Sequence, residues 1–442
     1  MNSIFKVLSI VVILISLVLF FVDKKRYYKF TLLALLLFPK VNLVNVGGST
    51  TGIRYDDFLL FAFLVLSIGE IIFELRRNHS LRVIHALVVC WVVFGLVSTF
   101  YGILQSTVSS PLVSILTSLR KYEYFVALFV GYFYFKKYDQ KDFIISLRIS
   151  SLILLVLCGL QLTGIFGGWI SGEYVKELGY PIGVFNGAYE YACVNCIFLA
   201  IFLYDAFKRS KISYIFCLVA LGQIVLSQSR SGILLAAILV MLMAFKYSKI
   251  IFVGAAIFGV VVLVALKNST TLLDRFATID IRKMMLVLKD RVARGDYFAA
   301  LRELPTESNF PFIKTDLSFY VRTTKWGAAL DGFQMNPIFG YGPGQLSVLD
   351  GSYVKILCEG GLASAFVFIA ILAYLFRTFR LTKASACKWV LFVVMCFALF
   401  IDIFDSSKNM QLLWMIAGSS FASVALNPKP VSETKPQLEY AS

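Results

Sequence analysis

Unbroken apolar runs of bilayer-spanning length recur from residue 4 to residue 426, and no other feature restricts the fold so severely. A helix needs about 20 apolar residues to cross the hydrocarbon core, and in lipid it must pair its own backbone polar groups. Thirteen runs are read, at 4–22, 30–46, 57–75, 83–104, 119–135, 143–163, 187–207, 213–228, 231–246, 250–266, 352–376, 389–403 and 410–426. They are solid rather than alternating, which excludes a membrane β-barrel. The first is span-length and lacks a small-residue cleavage site, so it reads as a helix rather than a removed signal. Only 15% of the residues are charged and mean hydropathy is +0.80, whereas a soluble domain carries about a quarter charged residues. The expected fold is all-α: a polytopic helical membrane protein with 12–14 transmembrane helices and a single integral-membrane domain over 1–442. The second run, broken by Pro39 and Lys40, is the least regular.

The net charge of +16 could suggest a nucleic-acid partner, but its distribution argues against one. Basic clusters fall between alternate apolar runs, at 23–29, 76–82, 136–142, 208–211, 246–249 and 377–388. That is the positive-inside pattern of cytoplasmic loops. The loops at 40–56, 105–118, 164–186, 227–232, 267–351 and 402–410 then face out, and the tail 427–442 lies inside. Segment 267–351 is the one large outside loop, with long stretches of amphipathic helical sequence.

The eight cysteines lie in or beside the spans, which argues against structural disulfides. Cys193 and Cys196 have redox or metal spacing, but within a span they read as small core residues. His79 and His85 sit at the inner face, so an outward histidine metal site is not expected. No phosphate-cradling or dinucleotide fingerprint appears.

Two stretches carry chemistry. The first is "SQSRSG", 227–232. Arg230 lies 19 residues past Lys211 and 16 before Lys246, roughly 29 and 24 Å along a helix, which puts it near the outer membrane boundary. Charges at that depth are usually functional. The bland alternative is snorkelling to headgroups. Ser227, Ser229, Ser231 and Gly232 favour an anion site, since small hydroxyl residues let a ligand approach the backbone. The second stretch is 316–362, where "RTTKWGAAL" places Arg322 one turn before Trp326, "NPIFGYGPG" is rich in turn residues, and "DGSYVKIL" restarts a membrane helix. Asp350 and Ser352 are cap candidates there. Asp350 reads equally well as a cap or as a catalytic carboxylate.

In their order, "SQSRSG", "DLSFYVR…W", "NPIFGYGPG", the Asp350 to Tyr353 helix start and "EGGL" resemble the O-antigen polymerase and O-antigen ligase superfamily. "GIRYDDFLL" (52–60), "LRKYEYF" (119–125) and "VFNGAYEYA" (184–192) are similar to looser motifs of the same family. The resemblance implies a glycosyltransferase of C-type architecture in the bacterial inner membrane, with its site and its large loop on the periplasmic face. Donor and acceptor would be oligosaccharides on undecaprenyl pyrophosphate within membrane lipid, with a chain-length regulator as a partner. Ligases have a histidine at the helix start after the glycine-rich turn. Asp350 stands there in this sequence, which favours the polymerase branch over a ligase that transfers polymer to lipid A–core.

Such a transfer needs the leaving diphosphate neutralised and the acceptor hydroxyl oriented or deprotonated. Arginine forks suit phosphate oxygens. Arg230 and Arg322 are the first candidates and Arg54 and Arg120 the next, with Ser229, Tyr353 and Trp326 as further substrate contacts. Asp350 is the first candidate base and Glu190 the second. Tyr189, Tyr191, Trp169 and Trp326 offer sugar-stacking faces, though packing is the commoner fate of such residues. Asp56–Asp57 and Asp402/Asp405 read first as helix-end residues, so no metal site and no cofactor are expected. A flippase for the same lipid-linked sugars is the competing class, but it would show repeated halves with matching broken helices, and none is visible.

Overall fold

The computed structural model describes residues 2–45, 52–138, 140–170, 173–176, 180–249, 252–253, 325–327, 329–330, 333–334, 336–344, 350–381 and 385–426. The expected span at 250–266 apart from two residues, the helical part of the outside loop before residue 325, the tail 427–442 and Arg322 lie outside the described residues. Among those described, twelve helices run in sequence: α1 Asn2–Val22, α2 Lys24–Leu37, α3 Tyr55–Arg77, α4 His79–Leu104, α5 Pro111–Lys137, α6 Gln140–Leu162, α7 Ala188–Lys208, α8 Ser213–Leu226, α9 Arg230–Tyr247, α10 Ser352–Leu381, α11 Ser385–Phe400 and α12 Ser407–Leu426. Seven of these are long and apolar enough to cross a membrane, and Ser213–Leu226 and Ala386–Phe400 are shorter apolar helices. The chain is an all-α polytopic membrane protein.

The helices alternate in direction from α1 to α9 and again from α10 to α12, so their connections gather at two ends. Of the described residues, 38–45, 52–54, 105–110, 163–170, 173–176, 180–187, 227–229, 336–344, 350–351 and 401–406 lie at the head, and Asp23, Asn78, Tyr138 and 209–212 at the foot. Ion pairs knit the foot: Lys24–Glu70 at 2.5 Å, Lys136–Glu74 at 2.5 Å and Arg148–Asp205 at 3.0 Å. The core between the ends is apolar and aromatic. α5 and α12 touch backbone to backbone, because a Cβ on Gly131 would lie 2.0 Å from the Met415 carbonyl and one on Gly418 would lie 2.0 Å from that of Leu128. Small residues permit that approach, which in lipid supplies the packing energy that water cannot.

The second expected span differs. α2 stops at Leu37, after 14 residues, too few for a crossing. Proline disfavours the α conformation in the residue before it, and Phe38 is extended. The carbonyls left open there accept from Lys408 of α12, with Leu35 O at 2.8 Å and Phe38 O at 2.5 Å. The chain then forms a two-stranded hairpin, β1 Asn42–Asn45 and β2 Gly52–Arg54, which delivers Arg54 to the head of α3. A second hairpin, β3 Gly168–Ile170 and β4 Glu173–Val175, buries Trp169 against Phe5 and Tyr174.

α10 is broken within its first third. Gly361 has φ +67°, and the α ladder stops there. The turn 336–344 takes up the freed groups: Tyr341 N and Gly342 N donate to the carbonyls of Cys358 and Glu359 at 3.0 and 2.9 Å, while Leu362 N and Ala363 N donate to Pro337 O and Ile338 O at 2.8 and 3.2 Å. Ser98 on α4 donates a further bond to Glu359 O at 2.6 Å. The "GYGPG" and "EGGL" segments are thus two sides of one backbone joint.

Candidate active site

Among the described residues, the head of the bundle holds three ionic groups. The first centres on Arg54, the last residue of β2. Its backbone N donates to Asp57 Oδ2 at 2.8 Å, and its guanidinium reaches Asp57 Oδ1 at 3.3 Å, Asp56 Oδ1 at 3.5 Å, Tyr124 OH at 3.3 Å and Ser407 Oγ at 3.3 Å. Burial opposes its charge, but Asp56 and Asp57 outweigh that and hold its pKa above the ordinary value. Arg120 donates to Gly52 O at 2.5 Å and lies 4.0 Å from Asp57. Asp56, Asp57 and Glu123 have oxygens within 4.8 Å of one another, a spacing that suits a metal ion. The Arg54 guanidinium already supplies a cation to two of the three, so the set does not fit a divalent ion well.

The second group pairs Glu190, in the first turn of α7, with Lys40. The ammonium is 2.9 Å from both carboxylate oxygens, Asn186 N donates to Oε2 at 3.2 Å, and both side chains are buried.

The third group joins the head of α10 to the connection 401–406. Lys355 Nζ lies 2.6 Å from Asp402 and 2.5 Å from Asp405. Ser352 Oγ donates to Ile401 O at 3.1 Å and accepts from Ile403 N at 2.8 Å and Phe404 N at 3.2 Å. Ser352 therefore caps the 401–406 connection rather than its own helix. The cap position of α10 is held by Gly351, whose carbonyl accepts from Lys355 N at 3.1 Å, and Asp350 lies one residue further out. Burial and the neighbouring Asp405 push the Asp402 carboxyl up to about 7, against the pull of Lys355. Burial would raise Asp405 as well, but Lys355 holds it below the usual carboxylate range.

The expected site residues distribute around these groups. Trp326 Nε1 donates to the Asp350 carbonyl, and the indole packs on Ala329 and Cys358. Lys325 beside it is buried, which lowers its pKa against the pull of Asp350. The Tyr189 hydroxyl is within electrostatic reach of both Asp350 and Asp402. Trp326 therefore contacts Asp350 directly, and Tyr189 interacts with Asp350 through its charge. Arg54 and Arg120 meet on Asp57, and Glu190 is engaged by Lys40. Arg230 is the first residue of α9, which packs on Ala192 of α7 at Gly232. Its serines shape the turn: Ser229 Oγ accepts from Gly232 N at 3.3 Å as the helix cap, and Ser227 Oγ donates to Ile224 O at 2.6 Å. The hydroxyls expected to surround an anion thus largely serve the α8–α9 corner. Tyr353 packs on Phe368 and Phe404 and donates to Met395 O at 3.0 Å.

Lys40, Lys355 and Lys408 are not among the candidate site residues of the sequence analysis, although Lys40 and Lys408 fall in loops read as facing out. One signal was available: each is a lysine in or beside an apolar run at its outward end, where the positive-inside rule expects none.

Residues 215–362 match the family model described as O-antigen ligase. The match runs from α8 to the break in α10 and takes in Arg230, Trp326, the 340–344 turn and Asp350. The match makes this part of the chain similar to the O-antigen polymerase and ligase superfamily. No curated protein matches the chain.

Proposed function

We propose that the chain polymerises undecaprenyl-pyrophosphate-linked repeat units into O-antigen or a related surface polysaccharide, with the head of the bundle on the periplasmic side of the inner membrane. The observation that carries the polymerase reading is the placement of Asp350. It follows the 340–344 turn, with Trp326 on its carbonyl, at the position where the ligases have a histidine. The two histidines of the chain are elsewhere: His79 begins α4 at the foot, and His85 hydrogen-bonds Tyr122 at 3.1 Å.

In this reading Arg230, with Arg322, binds the donor diphosphate and takes up the charge that develops as the anomeric C–O bond breaks. The leaving diphosphate keeps the bonding pair. The acceptor hydroxyl oxygen bonds to the anomeric carbon and its proton passes to Asp350. Tyr189 and Trp326 offer ring faces to sugars. The polyprenyl tails lie along membrane-facing apolar surfaces, among them a crevice of about 270 Å³ lined by Leu60, Leu64, Val89, Val92 and Val126 of α3, α4 and α5.

Reconstitution tests the reading. Purified protein in liposomes receives synthetic lipid-linked repeat units, with and without lipid A–core. A ladder of lengthening products without lipid A–core is expected. Transfer only when lipid A–core is present would make the chain a ligase, and lipid-linked units that cross the bilayer unaltered would make it a flippase.

A further inference from the structure

The Lys355, Asp402 and Asp405 group has one carboxylate more than its ammonium can neutralise. Beyond these three, the titratable groups that face it are Glu359 from α10, Lys121 from α5 and the Tyr189 hydroxyl from α7. Ser352, the first residue of α10, is bonded three times to the same 401–406 connection. That connection reaches the Arg54 group as well, because Tyr124 OH donates to Asp405 O at 3.3 Å and Arg54 bonds both Tyr124 and Ser407. A continuous set of contacts therefore runs from Arg54 through 401–407 to the first turn of α10, two residues from Asp350.

We propose that Lys355, with one proton held between Asp402 and Asp405, is a positioning unit that fixes the head of α10, and so Asp350, against the 401–406 connection. One ammonium, one carboxylate and one carboxylic acid make a neutral cluster, the form that a buried site favours. The carboxyl raised to about 7 is Asp402, and Asp405 is held low partly by a hydrogen bond from it. The side chains are 20% and 34% exposed, so the proton exchanges directly with solvent. None of these three residues touches the reacting atoms. They act through Asp350, and this role rests on the transfer reaction proposed above.

The sign of the pH effect follows from the raised carboxyl. Its contribution to the clamp is complete below its unfolded pKa and is lost as pH rises through the folded value. Opening of the head of α10 therefore becomes up to about tenfold easier per pH unit between about pH 4 and 7, and levels off above that. Hydrogen-exchange mass spectrometry of peptides covering 350–360 reads this on the full chain in nanodiscs without substrate. After correction for intrinsic exchange rates, the wild-type protein should lose protection from pH 5 to 7, while Asp402→Asn and Asp405→Asn, each of which removes the surplus carboxylate, should give flat profiles. Flat wild-type protection, or an unchanged slope in either asparagine variant, overturns the proposal. If one variant fails to accumulate, the wild type and the other variant still decide.

The activity arm uses the elongation assay. Lys355→Met should lower kcat about 10- to 100-fold, the usual cost of displacing a reacting group by about 1 Å. KM for the lipid-linked unit should be unmoved, and Lys355→Arg should restore most of the rate. Wild-type kcat in a well-accumulated Lys355→Met also overturns the proposal. A wild-type protein that shows the exchange slope but does not elongate lipid-linked units would overturn the polymerase reading and leave the clamp standing.

Discussion

Lys40 and Glu190, 150 residues apart in the chain, form a buried ion pair in which one ammonium sits 2.9 Å from both carboxylate oxygens. The pair ties the broken end of α2 to the first turn of α7. Removing one partner of such a pair strands the other charge and costs about 3–5 kcal/mol, while replacing both with apolar groups of similar volume is often neutral. Lys40→Met should therefore lower the melting temperature in detergent sharply, and Lys40→Met with Glu190→Leu should recover most of it. The same double variant tests catalysis. A role confined to folding predicts near wild-type elongation from it, whereas a stable but inactive double variant would return Glu190 to the mechanism as the base.

The joint in α10 depends on Gly361. A Cβ there would sit 2.1 Å from the Ile338 carbonyl oxygen, and φ is +67°. With ψ at −174° this is a conformation that only glycine adopts readily, costing an L-residue about 1–3 kcal/mol, and the steric clash adds to it. Gly361→Ala should destabilise the protein and prevent the 336–344 turn from docking, with elongation lost even in molecules that remain folded. Melting curves together with limited proteolysis of the turn would reveal the effect. Unchanged proteolysis would mean that the turn docks without the break.

Arg230 begins α9 beside a turn whose serines are occupied in shaping the corner, and its guanidinium is the charged group of that motif. Arg230→Lys keeps the charge but loses the planar fork. Elongation should fall roughly 30- to 1000-fold, equivalent to about 2–4 kcal/mol of transition-state stabilisation. Wild-type turnover from the lysine variant would indicate a general electrostatic or snorkelling role.

Elongation should also continue in EDTA. The acidic residues best spaced for a metal, Asp56, Asp57 and Glu123, already have the Arg54 guanidinium against two of them. A ladder that disappears on chelation and returns with Mg²⁺ or Mn²⁺ would refute this.

The helices were legible in the sequence because apolar runs of this length have few alternatives in lipid. Pro39 and Lys40 marked the irregularity in the second run, but not that Lys408 would cap the shortened helix from the far end of the chain. The bonding between "GYGPG" and "EGGL" is backbone to backbone, and glycines signal only that some close approach occurs. Asp402 and Asp405 read as helix-end residues because an acidic pair at a helix start has that ordinary use. Their engagement with Lys355 depends on α10 and the connection 401–406 meeting in space, which periodicity along one segment does not encode. Glu190 drew attention as an acidic residue beside tyrosines, and only the fold brought Lys40 onto it.

Asp350 separates two roles with one substitution. As the base, it must accept a proton from the acceptor hydroxyl, and an amide cannot do so at neutral pH. Asp350→Asn should then abolish elongation while Asp350→Glu keeps part of it. As a helix-end residue, asparagine would serve nearly as well, because Asn and Asp are close equals at helix starts. Gly351 already occupies the cap position of α10, which weakens the second role before any measurement. The Trp326 bond goes to the Asp350 carbonyl and not to its side chain, so the asparagine variant should keep that anchor and accumulate normally in the membrane. Chain elongation in a polymerase-null strain, with membrane levels followed by immunoblot, gives the answer. A full ladder from Asp350→Asn at normal levels would remove Asp350 from proton transfer and direct attention to Glu190, the second candidate base.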